Sequence, residues 1–199
     1  MKTIFKALII AIAILTTSVT VGLAQDFQKA LAAYNMGDYA TALREWKPFA
    51  EQGDAIVQVL LGSMYQRGLG VTKDYTEAVN WYREAAEQGN KYAQSNLGVT
   101  YANGQGVTQD YAEAVNWYRK AAEQGYAGAQ GNLGLMYYLG NGVIQNIVSA
   151  HMWLNIAASN GQEDAVKNRG FVQKKMTASQ LEKAQDLARE CVKKEYKGC

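Results

Sequence analysis

The chain has 199 residues, one proline, nineteen glycines and thirteen tyrosines, with 48% apolar and 19% charged residues. That balance excludes a disordered or low-complexity chain and fits a folded helical protein. Twenty basic against eighteen acidic side chains are too nearly balanced to imply nucleic acid as a ligand.

At the start, Lys2 and Lys6 precede the apolar run 7–15, followed by Thr16, Thr17, Ser18 and the small-residue site Gly22-Leu23-Ala24. This is the order of a secretory signal peptide, expected over residues 1–24 with cleavage after Ala24. The apolar run is too short to favour an uncleaved anchor. Cleavage removes two lysines, so the mature chain has a formal charge of about zero. It is expected to be exported, periplasmic or secreted, with no membrane span.

Residues 26–53 read as a degenerate helix pair. Phe27, Leu31 and Tyr34 lie at helical spacing, Gly37-Asp38-Tyr39 opens a second helix, and Pro48 near its end is expected to kink it. The pattern then becomes periodic. Tyr75–Gly89, YTEAVNWYREAAEQG, returns 36 residues later as Tyr111–Gly125, YAEAVNWYRKAAEQG, differing only at Thr76/Ala112 and Glu84/Lys120. Ala78, Trp81, Tyr82, Ala85 and Ala86 recur at i, i+3, i+4, i+7 and i+8, a wide apolar stripe on one helix, here named helix B. Self-similarity at a fixed period signals stacked units, each too small to bury a core alone. Three A helices precede the B helices, around Asp54–Arg67, Asn90–Asn103 and Ala127–Leu139, with the cores Leu61-Gly62-Tyr65, Leu97-Gly98-Tyr101 and Leu133-Gly134-Tyr137. Glycine inside a helix costs about 1 kcal/mol relative to alanine, so its recurrence predicts a close crossing of helix A over helix B. In the connectors Gly68-Leu69-Gly70-Val71, Gly104-Gln105-Gly106-Val107 and Gly140-Asn141-Gly142-Val143, the first glycine is placed to end helix A in a left-handed cap. Because they follow a helix and lack the lysine and Ser/Thr of a P-loop, they are not phosphate loops. Asp74 with Glu77 and Asp110 with Glu113 predict capping boxes for helix B, Asn146 with Ser149 a weaker one.

The pattern L-G-x-x-Y-x-x-G-x-G-V followed by D-Y-x-x-A-x-x-W-Y-x-x-A-A-x-x-G resembles the Sel-one-like repeat family, relatives of the tetratricopeptide repeats. The resemblance is strong over about Asp54–Gly161 and loose in the flanks. The third copy departs at Ile147 and over Ser149–Leu154. It implies an all-α, right-handed solenoid of antiparallel helix hairpins, used for protein–protein contact. The expected units are the pair 26–53, regular repeats 54–89, 90–125 and 126–161, and capping helices over 162–199. One domain covers 25–199.

The tail reads as a weaker A helix, Glu163–Lys175, then a last helix whose Thr177 and Gln180 make another capping box. Its apolar positions are Leu181, Ala184, Leu187, Ala188, Cys191 and Val192, with Lys183, Asp186, Glu190 and Lys194 turned to water. Cys191 and Cys199 form a C-x7-C pair. Export permits a disulfide, and Gly198 lets the end fold back over the last turn. The pair is also similar to the bridge in each repeat of the cysteine-rich branch of the family. The alternative is a buried Cys191 and a frayed Cys199.

Candidate chemistry is sparse. The one histidine, His151, occupies the position of Val79 and Val115 in helix B and reads as a packed structural residue. No metal site and no cofactor are expected, one histidine excludes an HExxH motif, and acidic residues such as Glu77, Glu84 and Glu113 form no convergent pair. Binding is the stronger expectation. By resemblance to tetratricopeptide repeats, one stripe of each A helix lines a concave groove: Ile56, Val59, Ser63 and Gln66; Tyr92, Ser95, Val99 and Ala102; and Leu135 and Tyr138 beside Gly128 and Gly131. These are the candidate partner-binding residues. The reading is a monomeric, non-enzymatic scaffold that takes a protein or peptide ligand there, in envelope function or host interaction. The rival, from the cysteine-rich branch, is binding or hydrolysis of β-lactam-type cell-wall compounds. It lacks support from any serine–lysine constellation or from cysteines within the repeats.

Overall fold

The computed structural model describes residues 26–199, so the expected leader lies outside the described residues. Helix α1 covers 26–35. It is followed by α2 (Tyr39–Glu51), α3 (Ala55–Arg67), α4 (Tyr75–Glu87), α5 (Lys91–Asn103), α6 (Tyr111–Ala122), α7 (Ala127–Leu139), α8 (Ile147–Ser159), α9 (Glu163–Gln173) and α10 (Ala178–Lys193). No strand occurs among the described residues. The helices pack in sequence order: α3 on α4, α5 on α6 and α7 on α8 within repeats, and α4 on α5 and α6 on α7 between them. This is a solenoid of antiparallel hairpins. Successive A helices, α5 with α7 and α7 with α9, touch one another more closely than successive B helices do. The A layer therefore forms the inner wall of the stack.

Both helix ends follow from local chemistry. Asp54, Asn90, Asp74, Asp110 and Asn146 each accept two backbone N–H groups of the first turn, satisfying donors that the helix cannot. Of the expected capping boxes only Thr177 with Gln180 closes reciprocally. At Glu77 and Glu113 the aspartate cap forms without a recorded return bond. Gly68, Gly104 and Gly140 end the A helices at φ of 66–75°, the left-handed cap expected of them. The second glycine of each connector has another reason. A Cβ on Gly70, Gly106 or Gly142 would strike the backbone of Tyr39, Tyr75 or Tyr111, at the start of the preceding B helix. Helix α2 continues through Pro48 to Glu51. So late in the helix, proline forfeits one backbone bond without ending it.

The core repeats with the sequence. Ala78, Trp81, Tyr82, Ala85 and Ala86 are all buried, as are Ala114, Tyr118, Ala121 and Ala122 in the second copy, with Trp117 half-buried. Leu61, Leu97 and Leu133 are fully buried, each contributing about 1.5–3 kcal/mol. In front of the first repeat, Phe27, Tyr34 and Trp46 pack as an aromatic cluster, with ring centroids 5.5–6.2 Å apart around Trp46.

The last helices depart from the repeat. In α9, Arg169 and Gln173 stand where the A helices carry leucine and tyrosine, and Arg169 donates to Asn155 Oδ1 at 2.7 Å. A polar B-facing side needs no B helix, and α10 folds back on α8 instead. Its Ala184, Ala188 and Cys191 are buried, the last two in one cluster with Met152, Trp153 and Ile156. Lys183, Asp186, Glu190 and Lys194 face water as the pattern predicts, but so do Leu187 and Val192. The chain then reverses through Glu195 and Tyr196, both at positive φ, and Cys199 reaches Cys191 in a disulfide with Cα atoms 5.6 Å apart. The loop sets Tyr196 against Gly125 and, at 3.2 Å, against the side-chain amide of Asn160.

Glycine again decides how closely the layers approach. A Cβ on Gly98 would lie 2.5 Å from ring carbons of the buried Tyr118, and one on Gly62 would meet Tyr82 in the same way. Gly170, two repeats after Gly98, has nothing within 4 Å. The two positions therefore predict opposite signs in chemical denaturation. Gly98→Ala costs about 1–3 kcal/mol through overpacking, whereas Gly170→Ala gains roughly 0.5–1 kcal/mol by lowering backbone entropy in the unfolded chain. Equal effects at the two sites would contradict the close-crossing account.

Candidate functional site

The inner wall is held in register by buried amides. Gln58, Gln94 and Gln130 recur at the 36-residue period and are at most 5% exposed. Each Nε2 donates to a carbonyl of the preceding B helix: Ala50 at 3.0 Å, Ala86 at 3.2 Å and Ala122 at 3.1 Å. Each Oε1 accepts from an amide just beyond the following B helix: Gln88 at 2.8 Å, Gln124 at 2.7 Å and Asn160 at 2.8 Å. One side chain thus ties three helices together. Buried amides so fully paired rigidify the packing around them.

On this frame the predicted groove residues divide. Ile56 and Tyr92 are 65% and 51% exposed, and Val59, Ser63, Gln66, Val99, Leu135 and Tyr138 are half-buried. Ser95 and Ala102 are buried at 6% and 9%, so they underlie the surface instead of presenting a side chain to it. Ala102 belongs to the core cluster of Tyr118 and Leu133. Gln66 is engaged from below, its Oε1 accepting from the Tyr82 hydroxyl at 2.8 Å. Burial pushes the Tyr82 phenol up to about 12 and raises Tyr118 as well, so both stay neutral structural groups.

Aromatic pairs bridge adjacent A helices. Tyr92 meets Tyr126, the residue before α7, edge to face at 5.2 Å, and Lys91 lies 5.6 Å over the Tyr92 ring. Tyr138 meets Phe171 at 5.8 Å. Lys175 Nζ donates to the Tyr138 hydroxyl at 2.6 Å and sits 4.6 Å over the Phe171 ring. In helical register with Tyr92 (i+4), Leu135 (i−3) and Phe171 (i−3) stands a row absent from the sequence reading: Asn96, Asn132 and Asn168. They are half-buried, and their side chains hydrogen-bond to no other described residue. Their 36-residue spacing was the available signal, hidden because an asparagine in a helix reads as ordinary surface. Among the described residues no cluster of histidine, cysteine and carboxylates could hold a metal ion, and no helix is long and apolar enough to cross a membrane.

His151 is 2% exposed, and neither ring nitrogen has a partner among the described residues. Burial, then the nearby Arg169 charge, holds its pKa below the ordinary value. With the folded pKa depressed, the unfolded chain takes up the proton first as pH falls. The neutral histidine's contribution is therefore present above pH of about 6.5 and lost as pH falls through the folded value. His151→Val, which restores the residue type of the other two B helices, should lose less thermal stability than the parent between pH 7.5 and pH 5. A parallel loss in both proteins would contradict this.

A model of the Sel1 repeat matches residues 55–90, 91–126 and 127–162, more than half of the chain and in phase with the helices. Among solved structures, the chain is similar to a protective antigen of uropathogenic Escherichia coli with an SLR fold, at 35% identity and a TM-score of 0.80. The match covers 90% of this chain but 40% of that one. A Sel1 repeat protein from Oxalobacter formigenes matches at 36% identity and a TM-score of 0.68, over 73% of this chain and 60% of its own. The chain thus spans less than two thirds of either neighbour. A search of curated proteins finds no match. Three in-phase repeats on a helical solenoid show that the chain belongs to the Sel1 repeat family, whose fold is generally a scaffold for protein–protein interaction.

Proposed function

We propose that this chain is an exported, monomeric scaffold that takes a protein or peptide segment along the inner wall of its A helices. The observation that carries the reading is the row Asn96, Asn132 and Asn168, in helical register with Tyr92, Leu135 and Phe171. Each asparagine offers a donor and an acceptor unused by the described residues. Neighbouring A helices should lie about 8–10 Å apart, and an extended chain advances about 3.3 Å per residue. One asparagine would then meet a peptide group roughly every third residue, while Ile56, Tyr92, Leu135 and Phe171 offer apolar contact between them. Aromatic anchors flanked by polar groups are the usual composition of binding hot spots. The disulfide between Cys191 and Cys199 supports an oxidising compartment, consistent with the leader read in residues 1–24.

Crosslinking and pulldown from intact cells would supply the partner, and calorimetry the test. Tyr92→Ala and Tyr138→Ala should each cost about 2 kcal/mol or more of binding, with circular dichroism unchanged. Glu87→Ala and Lys120→Ala, both exposed on the B-helix side, should leave affinity at the parent value. Loss in the second pair with parent affinity in the first would move the binding surface to the outer layer.

A further inference from the structure

The A helices of the three repeats carry no acidic side chain in a molecule whose total is nearly neutral. Residues 26–199 hold eighteen basic and eighteen acidic side chains. Yet α3, α5 and α7 contain no aspartate or glutamate, and their only charged residues are Arg67 and Lys91. Helices α4 and α6 of the outer layer mix four glutamates, Glu77, Glu84, Glu87 and Glu113, with Arg83, Arg119 and Lys120. The inner wall ends at α9, with Glu163, Asp164 and Lys167 on the helix and Lys174 and Lys175 just after it, all exposed. Lys167 is paired with Asp164 at 3.5 Å, whereas Lys174 and Lys175 make no ion pair with a described residue. Lys175 is nevertheless held in place. Its ammonium donates to Tyr138 and rests over two aromatic rings, so it retains free N–H donors and loses little further rotamer freedom on pairing. The Tyr138 oxygen accepts that bond, which leaves the phenol proton to donate elsewhere.

We infer that the segment bound in the groove is an acidic peptide with interspersed apolar residues, its carboxylates directed to the Lys174–Lys175–Tyr138 end. This rests on the groove reading above and names the partner's chemistry. A cationic segment would meet no carboxylate on α3, α5 or α7, and would carry its charge past Arg67, Lys91 and the Lys174–Lys175 pair. An acidic one meets those cations beside apolar anchors. Because residues 26–199 have no net excess of positive charge, the attraction is local and does not amount to general affinity for polyanions. A peptide fits better than a single-stranded nucleic acid, because the amide row matches peptide groups and Tyr92 and Tyr138 are each packed edge to face against a neighbouring ring.

The test uses a displayed library of random twelve-residue peptides selected on the folded mature protein. Groove-dependent binders are those lost with Tyr92→Ala. They should be enriched in Asp and Glu alternating with Leu, Ile, Phe or Tyr. Their affinity should fall about tenfold with Lys174→Ala plus Lys175→Ala and return with Lys175→Arg. It should also weaken as NaCl rises from about 50 to about 300 mM, and an oligothymidylate of the same length should not displace them. Groove-dependent binders that are neutral or basic, or displacement by the oligonucleotide, would overturn the acidic-peptide inference while leaving the groove in place. Binders indifferent to Tyr92→Ala and Tyr138→Ala, or none at all, would overturn the groove reading and this inference with it.

Discussion

Each repeat of this solenoid is joined to the next by a buried glutamine. Gln94 holds the last turn of α4 through Ala86 and the end of α6 through Gln124, and Gln58 and Gln130 do the same one repeat on either side. Apolar packing alone tolerates sliding of one hairpin along the next, because dispersion contacts are individually weak and non-directional. An amide with both ends engaged does not, since a small slip leaves a buried donor or acceptor unpaired. The inner rows of Tyr92, Asn96 and Val99 and their counterparts therefore keep register from repeat to repeat, and a continuous groove depends on that.

Within a repeat the corresponding constraint is steric. Gly62 and Gly98 let the rings of Tyr82 and Tyr118 lie directly on helix A, and Gly134 does this for Leu154. The array ends where both devices stop. Val166 takes the register of the glutamines, Arg169 and Gln173 replace the leucine and tyrosine, and Gly170 has no ring against it. The released surface of α8 is covered by α10, and the disulfide-closed turn brings Tyr196 to Asn160, the last rung of the amide row. A terminal unit with a polar outer side lets a stack end in water.

Much of this was legible from periodicity. The apolar stripe of helix B, the crossing glycines and the left-handed caps each carry a residue type that physics makes hard to explain otherwise, and each recurs every 36 residues. Gln58, Gln94 and Gln130 recur just as faithfully but were not read, because glutamine is a good helix former that normally faces water. Only the geometry reveals that it is buried. Ser95 and Ala102 were read onto the surface by register alone, whereas their burial depends on neighbouring helices. Where α10 packs was equally invisible, since an amphipathic face names no partner. The groove's chemistry was half legible: Tyr92 and Tyr138 stood out as aromatic, while Lys175 gained meaning only from its position between Tyr138 and Phe171.

The central claim is that buried amides, more than apolar filling, set the geometry between repeats. Substitution of Gln94 by leucine tests it, because the shape is largely kept while both hydrogen bonds are lost. Gln124 keeps a bond to Gly89 at 2.9 Å, but the Ala86 carbonyl loses its side-chain donor. Because that carbonyl still accepts the Gly89 N–H at 3.0 Å, no buried group is orphaned. Denaturant unfolding of Gln94→Leu should therefore show a loss of about 1–3 kcal/mol relative to the parent, the net worth of two hydrogen bonds. Stability equal to or above the parent would mean that the amide row only fills space, and would contradict the account.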